Sequence, residues 1–169
     1  MNNPRPRHPL VRRLLLGTMV LVIAGGDLLI KSTVVQGLGE GKILDYGVIN
    51  IRLAYNPGVA FSLGASLPPG VVATVTAALV AVLAVILFRA APGLSRTSCA
   101  GAALLLGGAL GNLVDRMDGA GVVDYLHTGW FPTFNLADIF VVSGAALLAL
   151  GSLRKTGPTG EEDSLEVPR

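Results

Sequence analysis

Four long apolar stretches organise this chain. The first runs from Leu14 to about Val35 and is broken only by Asp27 and Lys31. The second lies within Leu53–Phe88, which carries no charge; Pro57, Pro68 and Pro69 interrupt its first half and leave Val71–Phe88 continuous. Thr97–Val114 is uncharged, and Leu136–Leu153 carries only Asp138, near its start. A helix needs roughly 20 mostly apolar residues to cross a bilayer. The pattern therefore predicts four membrane-spanning helices, at about 14–35, 71–88, 97–114 and 136–153. Between the first two the period changes. Ile49, Ile51, Leu53 and Tyr55 alternate with Asn50, Arg52 and Ala54. Period two marks a strand, so a short sheet is expected within 43–66, with turns at Gly47, Gly58 and Gly64. Residues 1–13 read as a basic tail and 154–169 as a flexible one.

Charge placement orients the spans. Four crossings put both termini on one side. That side then holds Arg5, Arg7, Arg12, Arg13, Arg89, Arg96, Arg154, Lys155 and Arg169, while the rest of the chain has only Lys31, Lys42, Arg52 and Arg116. The positive-inside rule makes the termini cytoplasmic and turns loops 36–70 and 115–135 outward. Arg12-Arg13 followed by Leu14–Gly26 could also be read as a cleavable signal peptide. A first transmembrane helix explains more, because the chain that follows is itself membranous.

Composition agrees. Charged residues make up 14% of the 169, against about 25% in soluble domains, and the mean hydropathy is +0.64. An ordinary soluble enzyme and a disordered chain are both disfavoured. The single cysteine, Cys99, excludes an intramolecular disulfide and a cysteine-based zinc site. A net charge of +2 does not suggest a nucleic-acid partner.

Ionisable groups at membrane depth are costly and are functional candidates by default. Here they converge. Asp27, Asp115, Arg116, Asp124 and Asp138 all fall at the outer ends of spans, joined by Asn56, Asn112 and Asn135. Asp27 and Lys31 are spaced i,i+4 and can pair. Asn112, Asp115 and Arg116 share a face if the third span continues as a helix. The plain alternative is that Asp27–Lys31 and the adjacent Asp115–Arg116 only neutralise each other. Asp124 and Asp138 have no basic neighbour in sequence. Two carboxylates in a poorly hydrated place cannot easily both ionise. One keeps a proton, and the pair can then activate water against an amide without a metal.

Other chemistries fit less well. His8 and His127 form no metal-ligand pattern, and no serine sits in a G-x-S-x-G context. Gly107-Gly108-Ala109-Leu110-Gly111 lies inside an apolar helix, where it reads as close helix packing. Trp130 and Phe131 suit an interfacial aromatic belt. Cys99 reads as inert packing. A proton or cation relay would spread polar groups through the bilayer depth, whereas these gather at one end. A purely structural subunit leaves the convergence unexplained.

Five blocks now stand in order. They are Asp27-Leu28-Leu29-Ile30-Lys31, Asn56-Pro57-Gly58-Val59-Ala60-Phe61, Gly107 through Asn112-Leu113-Val114-Asp115-Arg116, Val122-Val123-Asp124-Tyr125, and Phe134-Asn135-Leu136-Ala137-Asp138. On four spans, over roughly residues 14–153, this set resembles the bacterial lipoprotein signal peptidases (signal peptidase II). The resemblance implies an all-α membrane protein with four transmembrane helices, a small extracytoplasmic β-cradle and a short extracytoplasmic helix or loop. Residues 43–66 and about 117–133 fall where the last two belong. It implies an aspartic endopeptidase of the bacterial inner or plasma membrane, with no metal and no cofactor. The partner would be a diacylglyceryl-modified prolipoprotein, cut just before the lipidated cysteine, among membrane lipids and by a monomer. Asp124 and Asp138 would be the catalytic dyad. Asn56, Gly58, Asn112, Arg116 and Asn135 would line the substrate site, with Asp115 in support and Asp27 and Lys31 in a structural role. The family's first block often has Gln after the Asp; here Leu28 stands there.

Overall fold

Prolines and capping side chains set where the long helices begin. In the computed structural model, which describes residues 8–38, 41–58 and 66–153, Pro9 occupies the first turn of α1 (Pro9–Gly37), and Pro68-Pro69 opens α2 (Pro69–Ala90). Proline suits that position, because its missing N–H would have no helical partner anyway. A 3-10 turn, Ala91–Gly93, follows α2. Ser95 then caps α3 (Arg96–Arg116), its Oγ accepting from Ser98 N at 3.0 Å. Asn135 precedes α4 (Leu136–Leu153). All four helices are long and apolar enough to cross a membrane.

α1 starts five residues before the apolar stretch, and its extra turn has contacts to make. Arg12 donates to Leu94 O (2.7 Å) and Arg13 to Phe88 O (3.1 Å). These are carbonyls at and just beyond the end of α2, where cations are favoured. The four helices differ in how much they bury. α2 buries only Val72 and Leu87, and leaves Val75, Leu79, Val82 and Ile86 exposed, a surface suited to lipid.

α3 is the centre, and glycine makes that possible. A Cβ on Gly101 would lie 2.7 Å from Leu148 N, and one on Gly108 would lie 2.5 Å from Ala137 O, both on α4. Gly107 and Gly111 face α1 instead, where a Cβ would meet Ile23 at 2.7 Å and Asp27 Oδ2 at 2.6 Å. The small residues let both neighbours approach the α3 backbone, as transmembrane packing requires.

A three-stranded antiparallel sheet covers one end. β1 (Ile43–Asp45) pairs with β2 (Asn50–Asn56), and β2 pairs with β3 (Val122–His127). In the β2–β3 register Asn56 faces Val122 and Ala54 faces Asp124, with an irregularity between Ile51 and Ala54. Gly121, at φ +96°, turns the chain into β3 so closely that a Cβ would sit 2.6 Å from Asn56 O. Phe134 then folds back on β3, exchanging backbone hydrogen bonds with Leu126. Over 117–133 the structure has this strand and turns, with no helix; residues 59–65 of the other stretch lie outside the described residues.

Candidate active site

Three elements deliver the two aspartates predicted as a dyad. Asp124 lies in the middle of β3. Asp138 lies in the first turn of α4, and the end of α3 closes the third side. Asp124 is 3% exposed and Asn135 is fully buried. The aspartates line one cavity of about 700 Å³ with Asn56, Asn112 and Arg116; its walls are mostly apolar and extend along α4 to Ser143 and Ala146.

Local folding fixes Asp138. Asn135 Oδ1 accepts from Asp138 N (2.9 Å), and Asp138 Oδ2 accepts from Asn135 N (3.2 Å). This reciprocal pair is a capping box written with Asn and Asp. The neighbouring orphan donors are also taken: Leu136 N donates to Tyr125 Oη at 3.3 Å, and Ala137 N to Asp27 Oδ1 at 3.0 Å. The start of α4 is thus tied to β3, to α1 and to itself.

Amides hold both carboxylates. Asp124 Oδ1 accepts from Asn135 Nδ2 (2.7 Å) and Oδ2 from Asn56 Nδ2 (3.2 Å). Asp138 Oδ1 accepts from Asn112 Nδ2 (2.9 Å). Asn135 Nδ2 also reaches Asn112 Oδ1 at 3.1 Å, which links the amide on Asp124 to the amide on Asp138. Burial, and then the charge of Asp138, push the Asp124 carboxyl up to about 6; the hydrogen bonds from Asn56 and Asn135 pull the other way. Burial also raises Tyr125.

The other charged residues form a second cluster. Lys31 Nζ lies 2.8 Å from both Asp27 Oδ2 and Asp115 Oδ2, and donates to Asn112 Oδ1 at 2.8 Å. Asp115 Oδ2 also accepts from Val123 N (3.1 Å). Asp115 therefore pairs across helices with Lys31, not with its neighbour Arg116. Consecutive residues on a helix point to different faces. Arg116 instead donates to Asn112 O (2.9 Å) and to Gly58 O (2.7 Å). Gly58 N donates to Asn56 Oδ1 (3.0 Å), which closes a turn after β2.

The structure thus joins all ten site candidates in one hydrogen-bonded set: Asp27, Lys31, Asn56, Gly58, Asn112, Asp115, Arg116, Asp124, Asn135 and Asp138. Sequence reasoning gave no role to Tyr125, or to the Arg52 guanidinium, which donates to Thr133 Oγ1 (2.8 Å) at the cavity rim. Tyr125 was visible only as part of a motif, and Arg52 only as the polar face of a strand. Among the described residues, no three His, Cys, Asp or Glu side chains are grouped to hold a metal ion.

Known proteins resemble this chain in sequence and in fold. Residues 19–154 match the family model described as Signal peptidase (SPase) II. A lipoprotein signal peptidase of Rhodococcus jostii is 39% identical over 166 residues, covering 92% of this chain and 80% of the relative. One from Mycobacterium tuberculosis is 35% identical over 160 residues, covering 90% and 76%. A solved structure described as a bacterial membrane enzyme superposes with TM-score 0.74 at 23% identity, covering 89% of this chain and 94% of that one. A second does so with TM-score 0.70 at 25% identity, covering 84% and 94%. Four apolar helices and these neighbours make the chain a multi-pass membrane protein, and it belongs to the signal peptidase II family.

Proposed function

We propose that the protein is a membrane-embedded aspartic endopeptidase. It removes the signal peptide from diacylglyceryl-modified prolipoproteins and cuts just before the lipidated cysteine. The observation that carries this reading is the placement of Asp124 and Asp138 in one largely apolar cavity, held by amides and backbone N–H groups. The relatives' name, lipoprotein signal peptidase, supplies the substrate class.

Before reaction the pair holds one proton, which rests on Asp124. Asp138 sits at the positive end of the α4 dipole and takes a proton from a water lying between the two. The water oxygen bonds to the scissile carbonyl carbon while Asp124 protonates the carbonyl oxygen. As the diol collapses, Asp138 passes its proton to the leaving nitrogen and Asp124 recovers the hydroxyl proton. The C–N bond breaks, giving a signal-peptide carboxylic acid and a free amine on the lipidated cysteine; the acid then gives its proton to the amine or to solvent. The dyad ends with one proton, as it began. Asn56, Asn112, Asn135 and Arg116 hold the carboxylates and the substrate backbone, and Gly58 and Asp115 support them. No metal or cofactor takes part.

In this reading the chain acts as a monomer in the bacterial plasma membrane. Residues 14–153 form the peptidase domain, between cytoplasmic tails 1–13 and 154–169, and the site lies near the outer face. The test is cleavage of a diacylglyceryl-modified prolipoprotein by purified protein in detergent. Parent protein should cut before the modified cysteine, while folded Asp124→Asn and Asp138→Asn should not. Parent-level cleavage by either variant would remove that residue from the dyad.

A further inference from the structure

An amide can meet a carboxylate only through its nitrogen, so each amide around the dyad must be turned the right way. The three differ in what turns them. The Asn56 oxygen is held by the backbone N–H of Gly58, and the Asn135 oxygen by the backbone N–H of Asp138. Those donors belong to the main chain. The Asn112 oxygen takes the Lys31 ammonium at 2.8 Å and, at the longer distance of 3.1 Å, the Asn135 amide nitrogen; turned this way, its Nδ2 faces Asp138 Oδ1 at 2.9 Å.

An ammonium has three protons and no acceptor. Lys31, itself 2% exposed, donates to Asn112 Oδ1 and lies in ion-pair contact with Asp27 Oδ2 and Asp115 Oδ2. A flipped Asn112 would set its NH₂ against the ammonium and its oxygen against the Asp138 carboxylate. Both contacts would be repulsive. Two acids already offset the Lys31 charge, so what passes through Asn112 is a direction, not a charge.

We propose that Lys31 is a positioning residue for Asp138, acting through Asn112 by fixing its amide as a donor to that carboxylate. This rests on the dyad reading above. It gives Lys31 a part in the reaction beyond holding α1 to α3.

A double-mutant cycle separates the two roles. Lys31→Met, Asn112→Ala and the double variant are compared with the parent, reading kcat and KM per folded molecule on a diacylglyceryl-modified prolipoprotein in detergent. Lys31→Met should lower kcat about 10- to 100-fold, the worth of one hydrogen bond to a charged group, with KM within about twofold. In the Asn112→Ala background the same change should cost kcat less than about threefold, because the amide it acts on is gone. Equal losses of kcat in both backgrounds, or a loss confined to KM, would overturn the proposal. Lys31→Gln, which keeps a donor, replaces Lys31→Met in the cycle if the latter does not fold. If neither accumulates as folded protein, Lys31 serves the fold alone and the proposal fails. A parent that does not cleave would instead refute the dyad reading.

Discussion

Two pairs of carboxylates lie close together in this protein, each with one buried member, Asp27 in one and Asp124 in the other, and they are treated in opposite ways. Asp27 and Asp115 share the Lys31 ammonium, each at 2.8 Å. Asp124 and Asp138 share Asn135, and among the described residues neither forms an ion pair. A cation held against two carboxylates ties them into an ion-paired link between α1 and α3. Amide donors fix position with a weaker pull, so burial can keep a proton on the pair. On the reading proposed above, the same residue type is scaffold in one pair and reagent in the other. The difference lies in the neighbour.

That contrast can be broken at either pair. The largest effect is expected at the dyad: Asp124→Asn or Asp138→Asn should lower kcat on the order of 10⁴-fold, the upper end of general acid–base catalysis, in protein that still melts cooperatively. At the other pair the main loss should be stability. Asp27→Ala leaves Lys31 with one acid and strands Ala137 N, and should cost about 3–5 kcal/mol in detergent unfolding. The next effect depends on pH. Burial and the Asp138 charge push the native Asp124 carboxyl up to about 6, from an ordinary 3.8. Its contribution to stability is therefore complete below about pH 4 and lost as pH rises through about 6, up to about 3 kcal/mol. Asp124→Asn should flatten the pH dependence of unfolding across that window. The smallest effect is steric: Gly111→Ala would press a Cβ against Asp27 Oδ2 and should cost about 1–3 kcal/mol, seen as a lower Tm.

The spans and the convergence of acids and amides were legible because hydrophobic runs, prolines and charge bias are local signals. β2 was legible from its alternation. β3 was not, because Val122 through Tyr125 are all buried and a strand covered on both faces shows no period. Nor was the partner of Asp115. The sequence sets Asp115 beside Arg116, but only the packing of α1 on α3, at Gly107 and Gly111, brings Lys31 to it. The sealing of the α4 start by Tyr125 and Asp27 joins residues 11 and 110 positions apart, which no spacing rule reaches.

The cavity wall that follows α4 from Asp138 through Ile139, Val142 and Ser143 to Ala146 has a kinetic consequence. A substrate moving along that wall travels in two dimensions, within the lipid sheet. Its encounter rate follows its mole fraction among amphiphiles, not its concentration in the tube. Adding empty micelles at constant enzyme and substrate then slows turnover by surface dilution alone. A KM quoted in micromolar for such an enzyme describes the detergent as much as the protein.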